Sequence, residues 1–154
     1  MKKLADALYS LCLTVWVGGL MAIGYVAVPV LFAQLQDRTL AGTLAGHMFA
    51  VGSWIALACA AYLLAYLWCS HGRAALRNRV VWLVVAMLAL SLIGQWVIQP
   101  IIADLRAQAL PLPVMQSPLA ASFGRWHGVS SVLYLIQAVL GVALVIAQGR
   151  GRRP

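Results

Sequence analysis

Four stretches of the chain carry no Asp, Glu, Lys or Arg: Ala7–Ala33, Thr39–Ser70, Val80–Ala103 and Trp126–Gly149. Each is longer than the roughly 20 residues a helix needs to cross about 30 Å of hydrocarbon. Four such runs in a chain of 154 residues leave too little polar sequence for a water-facing surface. Charged residues make up 9% of the chain, against about a quarter in an ordinary soluble domain. The sequence therefore predicts an all-α polytopic membrane protein, a single antiparallel four-transmembrane-helix bundle over residues 1–154. Its helices are expected at roughly 7–33, 41–69, 80–103 and 126–148.

A fifth uncharged stretch, Ala107–Gly124, contains Pro111, Pro113 and Pro118. Three prolines remove too many backbone donors for a lipid-exposed helix, so it reads as an outer loop touching the interface. Lys2 and Lys3 before the first run resemble the start of a signal peptide. The apolar run is too long for an ordinary cleaved leader and three more spans follow, so it reads as an uncleaved first helix.

The cations are unevenly placed. With the N-terminus inside, Lys2, Lys3, Arg73, Arg77, Arg79, Arg150, Arg152 and Arg153 are cytoplasmic, and only Arg38, Arg106 and Arg125 are outside. Eight against three is a positive-inside bias, which predicts cytoplasmic N- and C-termini. The basic residues form short clusters beside the spans, without interleaved aromatics. They fit anionic lipid headgroups rather than nucleic acid. Cys12, Cys59 and Cys69 show no CxxC spacing, and two of them sit toward the reducing side, so no disulfide is expected.

The two halves of the chain echo each other. Pro29 precedes Asp37 and Arg38, and Pro100 precedes Asp104 and Arg106. Gly42 and Gly46 stand four apart at the head of the second helix, as Gly124 and Gly128 do at the head of the fourth. His47 and His127 follow them. A duplicated hairpin gives this pattern, and so does chance in a chain this rich in Gly and Ala. Small residues four apart let helices approach closely in lipid, where hiding Leu from an equally apolar solvent gains little. Gly18, Gly19, Gly42, Gly46, Gly124 and Gly128 are therefore the expected packing seams.

Polar groups crowd the outer half. Gln34, Gln36, Asp37, Arg38, His47, Gln95, Gln99, Asp104, Arg106, Arg125, His127, Ser130 and Ser131 lie there. Unpaired polar groups in hydrocarbon cost several kcal/mol each, so they should find one another. Gln95 and Gln99 are one turn apart with Arg106 seven further on. His127, Ser130, Ser131 and Tyr134 fall at i, i+3, i+4 and i+7, a single helix face. Pro29 and Pro100 each free the carbonyl four residues back, that of Tyr25 or Trp96, if the helix continues through them. The expectation is a polar pocket opening on the extracytoplasmic side, built from Asp37, Arg38, Gln95, Gln99, Asp104, Arg106, Arg125, His127, Ser130 and Ser131. Arg125 is expected to pair with Asp104 or Asp37.

"FGRWHGVS" at residues 123–130, "QWVIQPIIADLR" at the end of helix 3 and "VWVGGL" in helix 1 resemble a family of small bacterial four-helix membrane proteins. That family is of unknown function and related to the transmembrane-protein-205-like proteins. The resemblance implies a bacterial inner-membrane location. More distantly, "WVGGL" is similar to an element of the copper-resistance D membrane domain and of the HemJ-type protoporphyrinogen oxidases. The latter bind haem through histidine, whereas helix 1 here has Tyr9, Ser10 and Cys12 in its first turns.

Three functional readings stand. The first is a non-enzymatic accessory, scaffold or stress-tolerance protein, because the sequence holds no buried carboxylate pair, Ser/His/Asp set, phosphate loop or HExxH. It needs no cofactor, and its partners are the lipid bilayer and a second copy or another membrane protein. The second is a haem or copper binder using His47 and His127, with Met48 or Met115 on a metal. The third is a component of a small transporter, with the outer pocket as its vestibule.

Overall fold

The computed structural model describes residues 2–151. Arg152 and Arg153, two cations of the charge pattern, lie outside the described residues, as does the side chain of Arg150. Four helical segments are long and apolar enough to cross a membrane: Lys2–Gln34, Arg38–Arg77, Arg79–Ala109 and Ala120–Gly149. The protein is an all-α multi-pass membrane protein.

The first span is α1 (Lys2–Ala22), a π-helical turn Ile23–Ala27, and α2 (Val28–Gln34). The second is α3 (Arg38–His71), followed by a 3₁₀ segment, Gly72–Arg77. The third is α4 (Arg79–Ile93), a π-helical turn Gly94–Ile98, and α5 (Gln99–Ala109). A short 3₁₀ turn, Val114–Gln116, leads into α6 (Ala120–Gly151), the fourth. Asp37 starts α3 by accepting the Thr39 and Leu40 N–H groups at 2.8 and 3.1 Å. Asn78 starts α4 in the same way, on Val80 at 3.0 Å. Each side chain satisfies orphan donors of a first helical turn.

These helices outrun the charge-free stretches. The third continues to Ala109 rather than 103, and the fourth begins at Ala120 rather than 126. Charge marks where a chain meets water, not where a helix stops. Asp104, Arg106 and Arg125 all sit on helix, and long side chains can reach polar surroundings from there.

Both odd-numbered spans break alike. A π-turn ends two residues before a proline, Pro29 in one and Pro100 in the other. The N–H groups of Val28 and Gln99 bond five residues back, to Ile23 and Gly94. The helix carries on through each proline, so the carbonyls of Tyr25 and Trp96 lose their regular donor.

The spans form a ring in chain order: α1 packs on α3, α3 on α4, α4 on α6, and α6 back on α1. The larger core lies toward the termini, around Trp16, Leu63, Val84, Met87 and Leu144. A smaller one, Ile98, Ile102 and Phe123, lies at the opposite end. Between them the ring encloses space.

Candidate functional site: a cavity between the four spans

That space is a cavity of about 580 Å³. Trp16, Leu20 and Ala56 are among the residues at its foot, and Phe32, Gly42 and Arg106 are at its head. The second span shows why it is open. Gly42, Ala45, Gly46, Phe49, Gly52, Ser53 and Ala56 line it, following the i, i+3, i+4, i+7 rhythm of one helix face. Apart from Phe49 these residues are small, so they put little side-chain volume into the space between the spans. An added Cβ at Gly19 or Gly46 would meet no atom within 4 Å.

The wall from the third and fourth spans is more polar. Ser91, Gln95, Gln99, Arg106, His127, Ser130, Ser131, Tyr134 and Gln137 all line the cavity. Arg106 reaches back across the head. Its Nη1 donates to the Gly42 carbonyl at 3.1 Å, and the guanidinium lies 5.4 Å from the centre of the Phe123 ring. His127 also stacks on Phe123, its ring parallel at 5.8 Å between centres. Gln95 and Gln99 have no side-chain hydrogen bond to another described residue. At the foot, the Trp16 indole is 2% exposed and its Nε1–H has no acceptor among the described residues. Among the described residues, no lining side chain is acidic.

Two residues of α6 tie the broken spans together. The Tyr134 hydroxyl donates to the Leu20 carbonyl just before the first π-turn, and its ring covers Gly24. Phe49 meets the same ring edge-on at 5.2 Å, with Tyr25 at 6.3 Å. A side chain inserted into the helical ladder is a recognised cause of such a break. Three residues on, Gln137 Nε2 donates to Ser91 Oγ at 2.6 Å, just before the second break, and Ser91 donates to the Met87 carbonyl at 3.1 Å.

Of the expected polar cluster, the structure brings Gln95, Gln99, Arg106, His127, Ser130 and Ser131 around one cavity. The rest take local partners. Asp37 caps α3. Arg38 donates to the Phe32 carbonyl at 3.0 Å. Asp104 accepts from Gln108 at 2.7 Å, and Arg125 donates to Ser122 at 3.3 Å. The expected pairing of Arg125 with Asp104 or Asp37 is not formed, because each acid has a partner within a turn of its own chain. His47 is exposed and does not line the cavity, being one residue, about 100°, past the Gly46 face. Among the described residues no three His, Cys, Asp or Glu side chains cluster to hold a metal.

The packing seams also differ from expectation. At Gly18, Gly19, Gly46, Gly124 and Gly128 no other element stands where a Cβ would go. Gly42 does lie close, under the Arg106 guanidinium at 3.0 Å. The tight approaches are at glycines outside the predicted pairs: Gly24 under Tyr134, Gly52 by Ile23 at 3.2 Å, and Gly141 by Val17 at 3.2 Å. A spacing of four shows that two glycines share a face, not that a neighbour meets it. Tyr134 was placed on the polar face by its spacing. Gln137 was missed, although a lone amide inside "LYLIQAVLG" is itself a signal, since lipid does not tolerate it unpaired.

Four membrane-crossing helices around a one-ended polar cavity define a small polytopic membrane protein with an intramembrane pocket. The chain belongs to the family described as a domain of unknown function, DUF4149, whose model matches residues 11–111. The match runs from within the first span to the end of the third and includes Gln95, Gln99 and Arg106. No curated protein and no solved structure matches the chain.

Proposed function

We propose that this protein is a non-enzymatic accessory or stress-tolerance protein of the bacterial inner membrane that holds a small molecule in the cavity between its spans. The carrying observation is the cavity itself: about 580 Å³, within the roughly 300–1,000 Å³ of ordinary ligand sites, with unpaired amides and a cation in its wall. Packed interiors hold few such voids, because emptying them costs stability. Among the described residues no carboxylate lines the cavity, which supplies neither a carboxylate pair nor a Ser/His/Asp set there. Purification in a mild detergent followed by native mass spectrometry tests this. A stoichiometric small molecule is expected on the wild type and absent from Gly46→Leu. An unliganded wild type that also binds nothing from a lipid extract would refute the reading.

In this reading the termini are cytoplasmic and Arg106 lies near the extracytoplasmic surface, on the eight-to-three division of cations. A C-terminal green fluorescent protein is then expected to fluoresce, and alkaline phosphatase inserted at Pro113 to be active. The opposite pair of results reverses the orientation. Anionic headgroups beside the basic clusters, and a second copy or another membrane protein against the open Gly124 and Gly128 face of α6, are the partners. Kinship with the transmembrane-protein-205-like, copper-resistance D and HemJ-type proteins belongs to the proposal alone. Its haem or copper alternative has a single cavity-lining histidine, His127, to rest on. A Soret band or stoichiometric copper in the purified protein would favour it.

A further inference from the structure

We infer that the cavity's occupant is a single-chain amphiphile with an oxyanion head, a carboxylate or a phosphate, its head at Arg106 and its chain running toward Trp16. The inference rests on the cavity reading above and adds the ligand's chemistry to it.

Charge is the first argument. Arg106 is the cavity's one charged lining residue among those described, and it is half-buried. A guanidinium carries five N–H donors, and one of them is engaged by Gly42. A cation held inside a membrane protein is expensive without a counter-charge, and among the described residues no acidic side chain lines the cavity beside it. Phe123 shields one side of it. The remaining donors match the fork geometry that a carboxylate or phosphate accepts. Gln99 and His127 stand in the same wall with hydrogen-bonding capacity to spare.

Shape is the second argument. Trp16 and Phe32 mark foot and head on the first span, and sixteen residues of helix rise about 24 Å. A volume of about 580 Å³ spread over that length is a shaft of narrow section, about the girth of one extended hydrocarbon chain. It equals about nineteen water volumes at about 30 Å³ each, and a methylene is about as large as a water. One extended chain with its head fits a space of that length and section.

Access is the third. Tyr25 and Leu135 line the cavity while remaining 50% and 56% exposed, so the shaft reaches the lipid-facing surface beside them. A chain can enter sideways from the bilayer while its head stays at the polar end.

The test uses the full chain in a nonionic detergent and radiolabelled palmitate as probe. Hexadecyl phosphate, hexadecanol and inorganic phosphate compete. Palmitate is expected to bind, hexadecyl phosphate to displace it, and hexadecanol and inorganic phosphate to do so about ten- to a hundredfold less well, the worth of a charge-assisted contact. Arg106→Gln is expected to weaken palmitate by a similar factor and leave hexadecanol unchanged. The acid–alcohol comparison needs only the wild type, should the variant fail to fold. Hexadecanol binding as tightly as palmitate overturns the oxyanion head, and if Gly46→Leu still blocks both, the cavity reading survives. Inorganic phosphate competing as well as hexadecyl phosphate overturns the amphiphile. No binding of either long-chain probe to the wild type overturns the inference, and the cavity reading then stands or falls on the lipid-extract experiment.

Discussion

Gly24→Ala is expected to destabilise the bundle by about 2 kcal/mol, within the roughly 1–3 kcal/mol of overpacking a filled site. The methyl group would land on the Tyr134 ring, 2.8 Å from its hydroxyl oxygen. That ring cannot step aside cheaply. Its hydroxyl is bonded to the Leu20 carbonyl, and Phe49 and Tyr25 pack on it. Gaining a better helix former returns up to about 1 kcal/mol and does not cancel the clash. Unfolding by sodium dodecyl sulfate from mixed micelles measures the difference. The double variant Gly24→Ala with Tyr134→Leu separates this cause from others. If the collision is the cause, the pair costs less than the sum of the singles by about 1–3 kcal/mol, as contacting residues do. Strict additivity would show that Tyr134 is not what Gly24 makes room for.

The Tyr134 wedge gives the first break a mechanism that proline alone lacks. Pro29 removes a donor, which frees a carbonyl but does not choose a π-turn. A hydroxyl placed against Leu20 and a glycine that admits the ring together hold the ladder apart at this level. The second break has a different prop, the Gln137–Ser91 pair, from the same face of α6. Both props come from the fourth span, beside the π-turns of the first and third.

The spans were legible because a lack of charge over more than 20 residues has one physical meaning in a chain this long. Their ends were not, because the helices run on through the charged Arg106 and Arg125. The gathering of Gln95, Gln99, Arg106, His127, Ser130 and Ser131 was legible from helical spacing, since polar groups sharing a face in lipid need common company. Asp37, Arg38, Asp104 and Arg125 take local partners instead. At a span end, caps and neighbours within one turn are available, and short-range partners win over distant ones. His47 fell outside because one residue of helix turns a side chain about 100°. The glycines misled most: the same residue type marks the tight contact at Gly24 and the empty wall at Gly46, and only the neighbouring span tells them apart.

Gly46→Leu is therefore expected to do the reverse of the change at Gly24. It should stabilise the unliganded protein by about 1–2 kcal/mol while abolishing occupancy of the cavity. About 1 kcal/mol comes from replacing glycine inside a helix. The rest comes from dispersion contacts with walls that now face empty space, since an added Cβ meets nothing within 4 Å. Thermal unfolding with and without ligand reads both effects. Ligand should raise the wild-type midpoint, because whatever binds only the folded form stabilises it by mass action, and should leave the variant's midpoint where it was. A packing defect would also be stabilised by the leucine, but its wild-type midpoint would not respond to any ligand. A binding site kept open at a cost in stability responds to both, and Gly19, Gly46 and Gly94, which line the shaft with nothing within 4 Å of an added Cβ, are where that cost is located.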